Sequence, residues 1–403
     1  MCSVVPGLGK AHRLLNTSRL SAQKRRFLCV EMLFAMLSSA SAFTTLPPVL
    51  TNATWSGGQF HFMLQGEANV GYIIESSSDL STWRPSMTNW DSHATRNITV
   101  PAVDAQTFWR VRPAPGPVIQ HAIVARGGVI LSGFGRIDSF NSTNELESTL
   151  GQYDSAKATD RALVGTNLRT PNAIDVGTMV VYGYAATAPG GTVRVAPAGS
   201  LGSKAWVESV MGKGLVEPGH HIDDANFYIP PAYLPSDFAP AALPQNVLYP
   251  TPGGTNYNYA VLTDGDYRHM GSLTLGTGQK MLIAARCRIM VMGTTTVESS
   301  GYILMGTNAS VEFYCMGRVD IQGQGVINHA GYARDFSVFA LSSQPVTYGG
   351  QTKLIGTIYA PLSSVTLSGT ADAIGAIVCN SFRMIGTMGL HFDENLKRLG
   401  PVR

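Results

Sequence analysis

The feature that most constrains this fold is an imperfect repeat near the end of the chain. The segment "YAPLSSVTLSG" is followed by "VCNSFRMIGTMG", and three positions recur seventeen residues apart. The matched pairs are Val365 with Phe382, Leu367 with Met384, and Gly369 with Gly386. Each unit is a short apolar strand that ends in glycine, which predicts a chain repeating one unit of backbone.

A second pair of segments repeats in the same way. "MVMGTTTVESSG" (290–301) and "YCMGRVDIQGQG" (314–325) align at a spacing of 24. The alignment matches Met292 with Met316, Gly293 with Gly317, Val297 with Ile321, and Gly301 with Gly325. Short strands with glycine corners at such periods are typical of a β-solenoid, because stacked coils bury an apolar face that one coil cannot bury alone. A jelly roll or a propeller also has many short strands, but its repeating unit is longer. We therefore expect a right-handed β-solenoid.

Composition supports an all-β chain. Charged residues make up 14% of the 403 residues, and glycine occurs 43 times. The net charge is +3, but residues 1–42 hold six basic residues against Glu31 and so carry +5, which leaves 3 − 5 = −2 for the remainder. A nearly neutral body lacks the basic footprint of a nucleic-acid-binding protein.

Residues 1–42 are expected to direct export. "KRRFLCVEMLFAMLSSASA" joins a basic run to an apolar run, and Ala40-Ser41-Ala42 fits a signal-peptide cleavage site before Phe43. The same stretch resembles the start of type IV pilins and pseudopilins, with Phe27 first, Glu31 fifth and Pro48 twenty-second, although Arg26 replaces the family's glycine. Both alternatives stay open, and both place the body outside the cytoplasmic membrane. The membrane would be contacted only through this segment, if it is uncleaved.

Residues 43–113 alternate in the manner of half-buried strands. Phe60, Phe62 and Leu64 are expected on one face, Tyr72 and Ile74 on another, and Trp83 as a core anchor. Tyr72, Ile74, Ser77, Asp79, Leu80 and Trp83, followed by Phe108, Arg110 and Val111, resemble the motif of small exported modules. This resemblance implies a fibronectin type III-like or immunoglobulin-like β-sandwich that spaces or binds. Pro-rich residues 114–117 form the expected linker to a solenoid at 118–403.

Three further motifs lie in that second region. Asp138-Ser139-Phe140-Asn141-Ser142 comes early, "GTIYAP" with "VTLSG" comes late, and His391-Phe392-Asp393-Glu394 with Leu396 closes the chain. Together they resemble an uncharacterised domain of exported bacterial proteins over about 125–397, which implies an envelope solenoid without an established activity. More loosely, the coils are similar to bactofilins, which polymerise through solenoid ends.

Four side chains form the densest polar cluster, namely His220, His221, Asp223 and Asp224 in "EPGHHIDDANF". Imidazole and carboxylate groups bind metals, but a distant third ligand is missing from the pattern, so a solvated loop is the preferred interpretation and these are weak metal candidates. Asp264 and Asp266 suggest a turn, because the full calcium-loop pattern is absent.

Two other groups could suggest polysaccharide chemistry. Asp393 and Glu394 are interpreted as part of a terminal cap on the solenoid. Arg286 and Arg288 should share a strand face as surface charges, with no acidic side chain stacked beside them and no charged ladder along the repeats. We therefore assign no catalytic residues and no cofactor.

Three cysteines fall outside the export segment, at Cys287, Cys315 and Cys379, while Cys2 and Cys29 lie within it. The repeats place Cys315 opposite Val291 and Cys379 near Ala360, which are small apolar positions. We expect buried free thiols and no disulfide framework.

The sequence as a whole predicts a secreted or cell-surface structural or adhesion protein. A solenoid polysaccharide lyase or hydrolase and an accessory component of a surface fibre are the alternatives. An envelope polysaccharide, an envelope protein or a second copy of the chain are the expected partners. A flat, charge-poor face with uncapped ends would favour adhesion or assembly, and a stacked polar groove along one solenoid face would favour the enzyme.

Overall fold

The computed structural model describes residues 48–66, 72–89, 95–101, 107–113, 119–210, 213–227, 229, 231–235, 237–249 and 254–398. The export predictions, Cys2, Cys29 and the linker fall outside these residues. The regular structure of the described part is mainly β-strand, with one short α-helix, α1 (Lys204–Val210), and three short 3-10 helices. The all-β prediction is confirmed. No described helix has the length and apolar character needed to cross a membrane.

The first six strands form two three-stranded antiparallel sheets, in the orders β1-β2-β5 and β4-β3-β6. The strands are β1 (Val49–Ser56), β2 (Gln59–Gln65), β3 (Tyr72–Ser77), β4 (Arg84–Asn89), β5 (Thr95–Pro101) and β6 (Phe108–Pro113). Both sheets contribute to one apolar core, which contains Phe60, Phe62, Leu64, Tyr72 and Ile74 as the alternation predicts.

The prediction of Trp83 as a core anchor is wrong. Trp83 is half-buried at the surface, where the Arg110 guanidinium lies 4.3 Å from its ring centroid. Arg110 also contacts Glu75 at 2.6 Å, so the indole packs beside an ion pair and not into the apolar core. The reason is positional, since Trp83 lies in the bend between β3 and β4, outside the strand alternation that fills the core.

The second region consists mainly of short strands that pair in parallel, apart from one antiparallel pair and two long strands. Its first part contains β7 (Ile123–Ala125), β8 (Val129–Gly133), β9 (Arg136–Phe140), β10 (Ala162–Thr166), β11 (Ile174–Gly177), β12 (Val180–Ala186), β13 (Val193–Val195), β14 (Ser200–Gly202), β15 (Leu215–Val216) and β16 (His221–Ile222). Its second part contains β17 (Ala241–Ala242), β18 (Gln245–Tyr249), β19 (Thr255–Val261), β20 (Gly265–His269), β21 (Leu273–Leu275), β22 (Lys280–Ile283), β23 (Arg286–Val291), β24 (Thr295–Val297), β25 (Tyr302–Met305), β26 (Ser310–Cys315), β27 (Val319–Ile321), β28 (Gly325–Asn328), β29 (Phe336–Ala340), β30 (Val346–Tyr348), β31 (Leu354–Gly369), β32 (Ala373–Gly386) and β33 (Leu390–Asp393).

These strands form three stacks. Stack A begins with β20, β23, β26 and β29, stack B with β21, β24, β27 and β30, and stack C with β19, β22, β25 and β28. The long strands β31 and β32 each continue both stack A and stack B. Side chains alternate along each strand, and the inward positions of all three stacks join one apolar core. A segment that supplies one strand to each stack is called a repeat below.

The stacking order does not follow the order of the chain. The first repeat (β7, β8 and β9) packs on the last one, with Ile377 opposite Ile123, Phe382 opposite Val129, and Leu390 opposite Ile137. On its other side it pairs with β10, β11 and β12. Strands β12 and β32 each bend from one stack into another, so β7, β10, β12, β9, β33 and β32 form a closed ring of six parallel strands.

Residues 223–240 connect the two parts of the stack. Asn167 bonds the backbone of Phe227 at both its nitrogen and its oxygen, and Phe238 lies 6.3 Å from Tyr314. The connection therefore follows the outer side of stack A, from β10 to β26. Beyond it, β17 pairs with β20, and the hairpin of β18 and β19 joins stack C.

The repeat alignments are largely confirmed. Val365, Leu367 and Gly369 lie opposite Phe382, Met384 and Gly386, and Val297 lies opposite Ile321. The match of Gly301 with Gly325 is wrong by one residue, because Gly325 pairs with Tyr302 and Gly301 bonds Gln324. The spacing thus shortens from 24 to 23 at that corner.

Glycine is required where corners of the repeats stack. Gly386 has φ 116°, and a Cβ there would lie 2.1 Å from the Gly369 carbonyl oxygen. Gly133 has φ 137°, and a Cβ there would lie 1.8 Å from the Gly386 oxygen. These corners combine a positive φ with a backbone approach that leaves no room for a side chain.

The cysteine prediction is confirmed for the described residues. Cys287, Cys315 and Cys379 are buried free thiols. Cys315 lies opposite Val291, and Cys379 lies opposite Ala360. Burial raises the pKa of Cys315 to about 12, so this thiol stays protonated at neutral pH.

Candidate functional site

Two sequence motifs separated by about 250 residues come together on neighbouring strands. Strand β9 carries Asp138 and Ser139, and β33 carries His391 and Phe392 directly opposite them. Asp138 is 0% exposed and His391 is 3% exposed. Both residues belong to motifs found in the sequence, which assigned them no role. The structure shows that they face each other between the first repeat and the last.

A buried polar cluster surrounds this pair; we call Asp138, His391, Tyr153, Arg136 and Asp372 the inter-repeat cluster. The imidazole Nδ1 of His391 donates to Asp138 Oδ1 at 2.6 Å. The Tyr153 hydroxyl donates to Asp138 Oδ2 at 2.7 Å and accepts from Arg136 at 2.7 Å. The Tyr153 ring stacks on the His391 ring with centroids 3.7 Å apart. Both oxygens of the buried Asp138 carboxylate therefore have a donor.

Charge around the imidazole is also balanced. Asp372 lies on its other side, with Oδ2 3.5 Å from His391 Nε2, and the Arg136 guanidinium Nε lies 2.7 Å from Asp138 Oδ2. Burial of His391 disfavours the imidazolium, but the hydrogen bond to Asp138 and the charges of Asp138 and Asp372 outweigh burial and raise its pKa. The nearby His391 in turn lowers the pKa of Asp372. The cluster therefore favours a charged His391 between two carboxylates.

The next residues of the same motifs extend this contact. Asp393 accepts from the Ser142 backbone at 3.1 Å, and burial raises the pKa of its carboxyl. Glu394 accepts from Arg161 at 2.8 Å and from the Thr159 hydroxyl at 3.2 Å. The interpretation of Asp393 and Glu394 as part of a terminal cap is wrong, because β33 lies between β32 and β9 inside the stack.

The geometry limits what these groups can do chemically. General acid–base catalysis requires a titratable group within reach of a substrate. Here the His391 Nδ1 proton is directed at a fully buried carboxylate, and an aromatic ring covers one face of the imidazole. In this arrangement the polar side chains join two repeats and keep their buried charges paired.

The weak metal candidates contact separate partners. His220 stacks on Tyr184 at 4.4 Å and bonds the Gly183 oxygen at 2.8 Å, while His221 bonds the Thr187 hydroxyl at 2.9 Å. Asp223 and Asp224 are exposed. The preferred interpretation of a solvated loop is wrong for His221, which is half-buried in β16, while His220 is half-buried in the loop just before this strand. Within the described ranges, no group of three or more His, Cys, Asp or Glu side chains is arranged to hold a metal ion.

Arg286 and Arg288 share a strand face as expected, but the predicted absence of stacked acidic neighbours is wrong. Arg288 lies opposite Asp266 on one side and Glu312 on the other. Its guanidinium contacts Asp266 at 2.6 Å and Asp237 at 2.8 Å, and the pKa of Arg288 is raised by these bonds. Asp266, Arg288 and Glu312 are separated by 22 and then 24 residues, so no single repeat spacing in the sequence predicts this short charged row.

The "LTDGDY" segment is divided between a bend and a strand. Asp264 lies in the bend and accepts from the Arg286 backbone at 2.9 Å, while Asp266 lies in β20. The turn prediction is therefore confirmed for Asp264 only.

A depression of about 390 Å³ lies near the connecting segment and is lined by Arg126, Asn167, Asn226, Phe227 and Ile229. Two of its polar side chains, Arg126 and Asn167, bond the protein. Arg126 donates to the Ile229 oxygen at 2.6 Å, and Asn167 bonds Phe227. We therefore interpret the depression as a result of the hydrogen bonds that hold Phe227 and Ile229 of the connecting segment.

Comparison with known proteins gives one family match. Residues 253–399 match the model of a domain of unknown function, DUF7305. No curated protein and no solved structure matches the chain. The matched part contains β33 and its motif, while β9, which completes the inter-repeat cluster, lies before it.

Proposed function

We propose that this chain is an exported structural or adhesion protein of the cell envelope, built from a small immunoglobulin-like or fibronectin type III-like sandwich and a right-handed β-solenoid. The observation that carries the proposal is the closed inter-repeat cluster. Asp138 and His391 are of residue types that can act in catalysis, but here they bond each other and join the first repeat to the last.

Three features support the solenoid part of the proposal. Parallel strands recur in register in three stacks, their inward side chains share one core, and glycines occupy stacked corners. Near one end of the stack, α1 packs against β12 and β14 and buries Val207.

The export part of the proposal comes from residues 1–42, through either a cleaved signal peptide or a pilin-like anchor. The match to an uncharacterised family is compatible with this proposal but supplies no activity. Sequencing the N-terminus of protein from its native host tests it. A start at Phe43 supports the signal peptide, a start at Phe27 supports the anchor, and an intact Met1 on cytoplasmic protein would contradict export.

The enzyme alternative is tested with the purified full chain. We expect no new reducing ends or unsaturated products from acidic and neutral polysaccharides, with or without calcium. Turnover that is lost in the Arg288→Ala or Asp138→Asn variant, while the variant keeps its cooperative unfolding, would overturn the structural proposal.

A further inference from the structure

The outward side of stack B carries a regular row of side chains. Adjacent strands place the following residues in register: Thr274, Thr296, Asp320, Thr347, Thr366, Arg383 and Ile130. At a strand spacing of roughly 4.8 Å, seven positions span about 29 Å. We call this the stack B row.

Further hydroxyl groups lie beside the row on the side toward stack A, where Ser364 lies opposite Ser381. On the other side, Ser368 lies opposite Ile385. Thr274 and Arg383 are exposed, while Thr296, Thr347 and Thr366 are half-buried by their neighbours. Threonine side chains are stiff at χ1 and flanked on both sides, so they lose little entropy when they bind a ligand.

The surface carries almost no net charge. Asp320 accepts from Arg318 at 2.8 Å and from Gln322 at 3.0 Å, so its charge is compensated within the surface. Arg383 and Glu298 are opposite charges on different repeats. A balanced surface does not concentrate a polyanion or a polycation, which makes a neutral ligand the complementary one.

Exposed apolar side chains lie at the two corners that flank the row. At the corner between stacks A and B, Met270, Met292 and Met316 occupy equivalent positions on three neighbouring repeats and are 68%, 39% and 38% exposed. At the opposite corner, and at the other end of the row, Phe134 is 65% exposed. The three methionines form an exposed apolar edge, which is a feature of interaction surfaces.

We propose that the stack B row and its apolar edges bind an extended neutral polysaccharide. A sugar chain presents hydroxyl edges and apolar C–H faces in a linear repeat, which matches a row rich in threonine hydroxyls beside an apolar methionine edge. Protein interfaces instead concentrate apolar anchors at their centre. This inference rests on the proposed function, because it names the partner of the envelope scaffold.

The test is isothermal titration calorimetry of the full chain with cellohexaose as the neutral probe and hexagalacturonate as the acidic one. We expect cellohexaose to bind more tightly. Thr347→Lys, which places a bulky cation in the centre of the row, and Phe134→Ala should each weaken cellohexaose binding about tenfold. Thr347 faces Asp320 on one side, so a lysine is tolerated there.

Matched controls come from exposed positions elsewhere. Thr54→Lys changes an exposed strand threonine of β1, and Leu150→Ala removes a side chain that is 90% exposed. Both should bind cellohexaose like the wild type, and urea midpoints should confirm that all four variants are folded.

Three results would overturn the inference. They are tighter binding of hexagalacturonate, equal affinities of the Thr347→Lys and Thr54→Lys variants, and binding of neither probe. If neither probe binds but the exported protein is retained on envelopes through a protease-sensitive receptor, the partner is a protein and the proposed function survives. A cytoplasmic protein with an intact Met1 would instead refute the proposed function.

Discussion

Replacing His391 by alanine should destabilise the junction between the first and last repeats. The substitution removes the 2.6 Å hydrogen bond to Asp138 and the ring stacked on Tyr153 at 3.7 Å. A hydrogen bond to a charged group contributes about 1.5–3 kcal/mol, and an aromatic pair about 0.5–1.5 kcal/mol. The Asp138 carboxylate stays buried after the change, which adds the cost of a charge that has lost a partner. We therefore expect a loss of about 3–4 kcal/mol in the free energy of unfolding.

The assay is urea unfolding followed by circular dichroism, combined with hydrogen exchange of the two strands that meet at the cluster. Exchange should rise first in β9 and β33, because these strands lose their shared contact. His329→Ala is the matched control, since His329 is exposed and should change stability by less than about 0.5 kcal/mol. Equal urea midpoints for the His391 and His329 variants would refute the reasoning, since a buried ion pair cannot be lost without cost.

Four further outcomes are expected. Because the pKa of His391 is raised in the folded state, its stabilising contribution is complete below its ordinary pKa of 6.5 and is lost as pH rises through the folded value. In thermal unfolding, the stability difference between wild type and His391→Ala should therefore shrink as pH rises above 6.5. Gly386→Ala should cost at least about 2 kcal/mol by urea unfolding, whereas Gly276→Ala, whose added Cβ meets only ordinary contacts at 3.6 Å, should be nearly neutral; similar costs would contradict the corner argument. Cys379, 0% exposed with its pKa raised by burial, should react with a thiol reagent only after unfolding, and rapid labelling of the native chain would show that the core opens. Residues 253–399 alone should lack a cooperative urea transition, because the strands that cover β32 and β33 are missing; a sharp transition would mean that the matched domain closes its own core.

Much of the local structure could be predicted from the sequence, because each repeat requires particular residue types at positions close together in the chain. Inward positions must be apolar, and stacked corners must be glycine. This is why Val365 matches Phe382 and Gly369 matches Gly386 both in the sequence and in the structure. The same logic placed Cys315 opposite Val291. The alignment failed by one residue at Gly301, where a corner changes length and no apolar position constrains it.

Side-chain partners were harder to predict. The row of Asp266, Arg288 and Glu312 alternates in sign and is spaced by 22 and then 24 residues, so a search for recurring identical charges does not find it. Trp83 was wrongly predicted to lie in the core. The motif gives its position in the sequence, but it does not indicate that the ring packs beside Arg110.

The sequence by itself determined an all-β chain, the inward faces of the strands and the corners of the repeats. Only the tertiary structure decided that the first repeat lies against the last, and therefore that Asp138 meets His391. The physical reason is the range of each constraint. Strand alternation and glycine corners act over a few residues or one repeat, whereas the pairing of β9 with β33 brings together residues 253 positions apart, through a contact that leaves no period in the sequence.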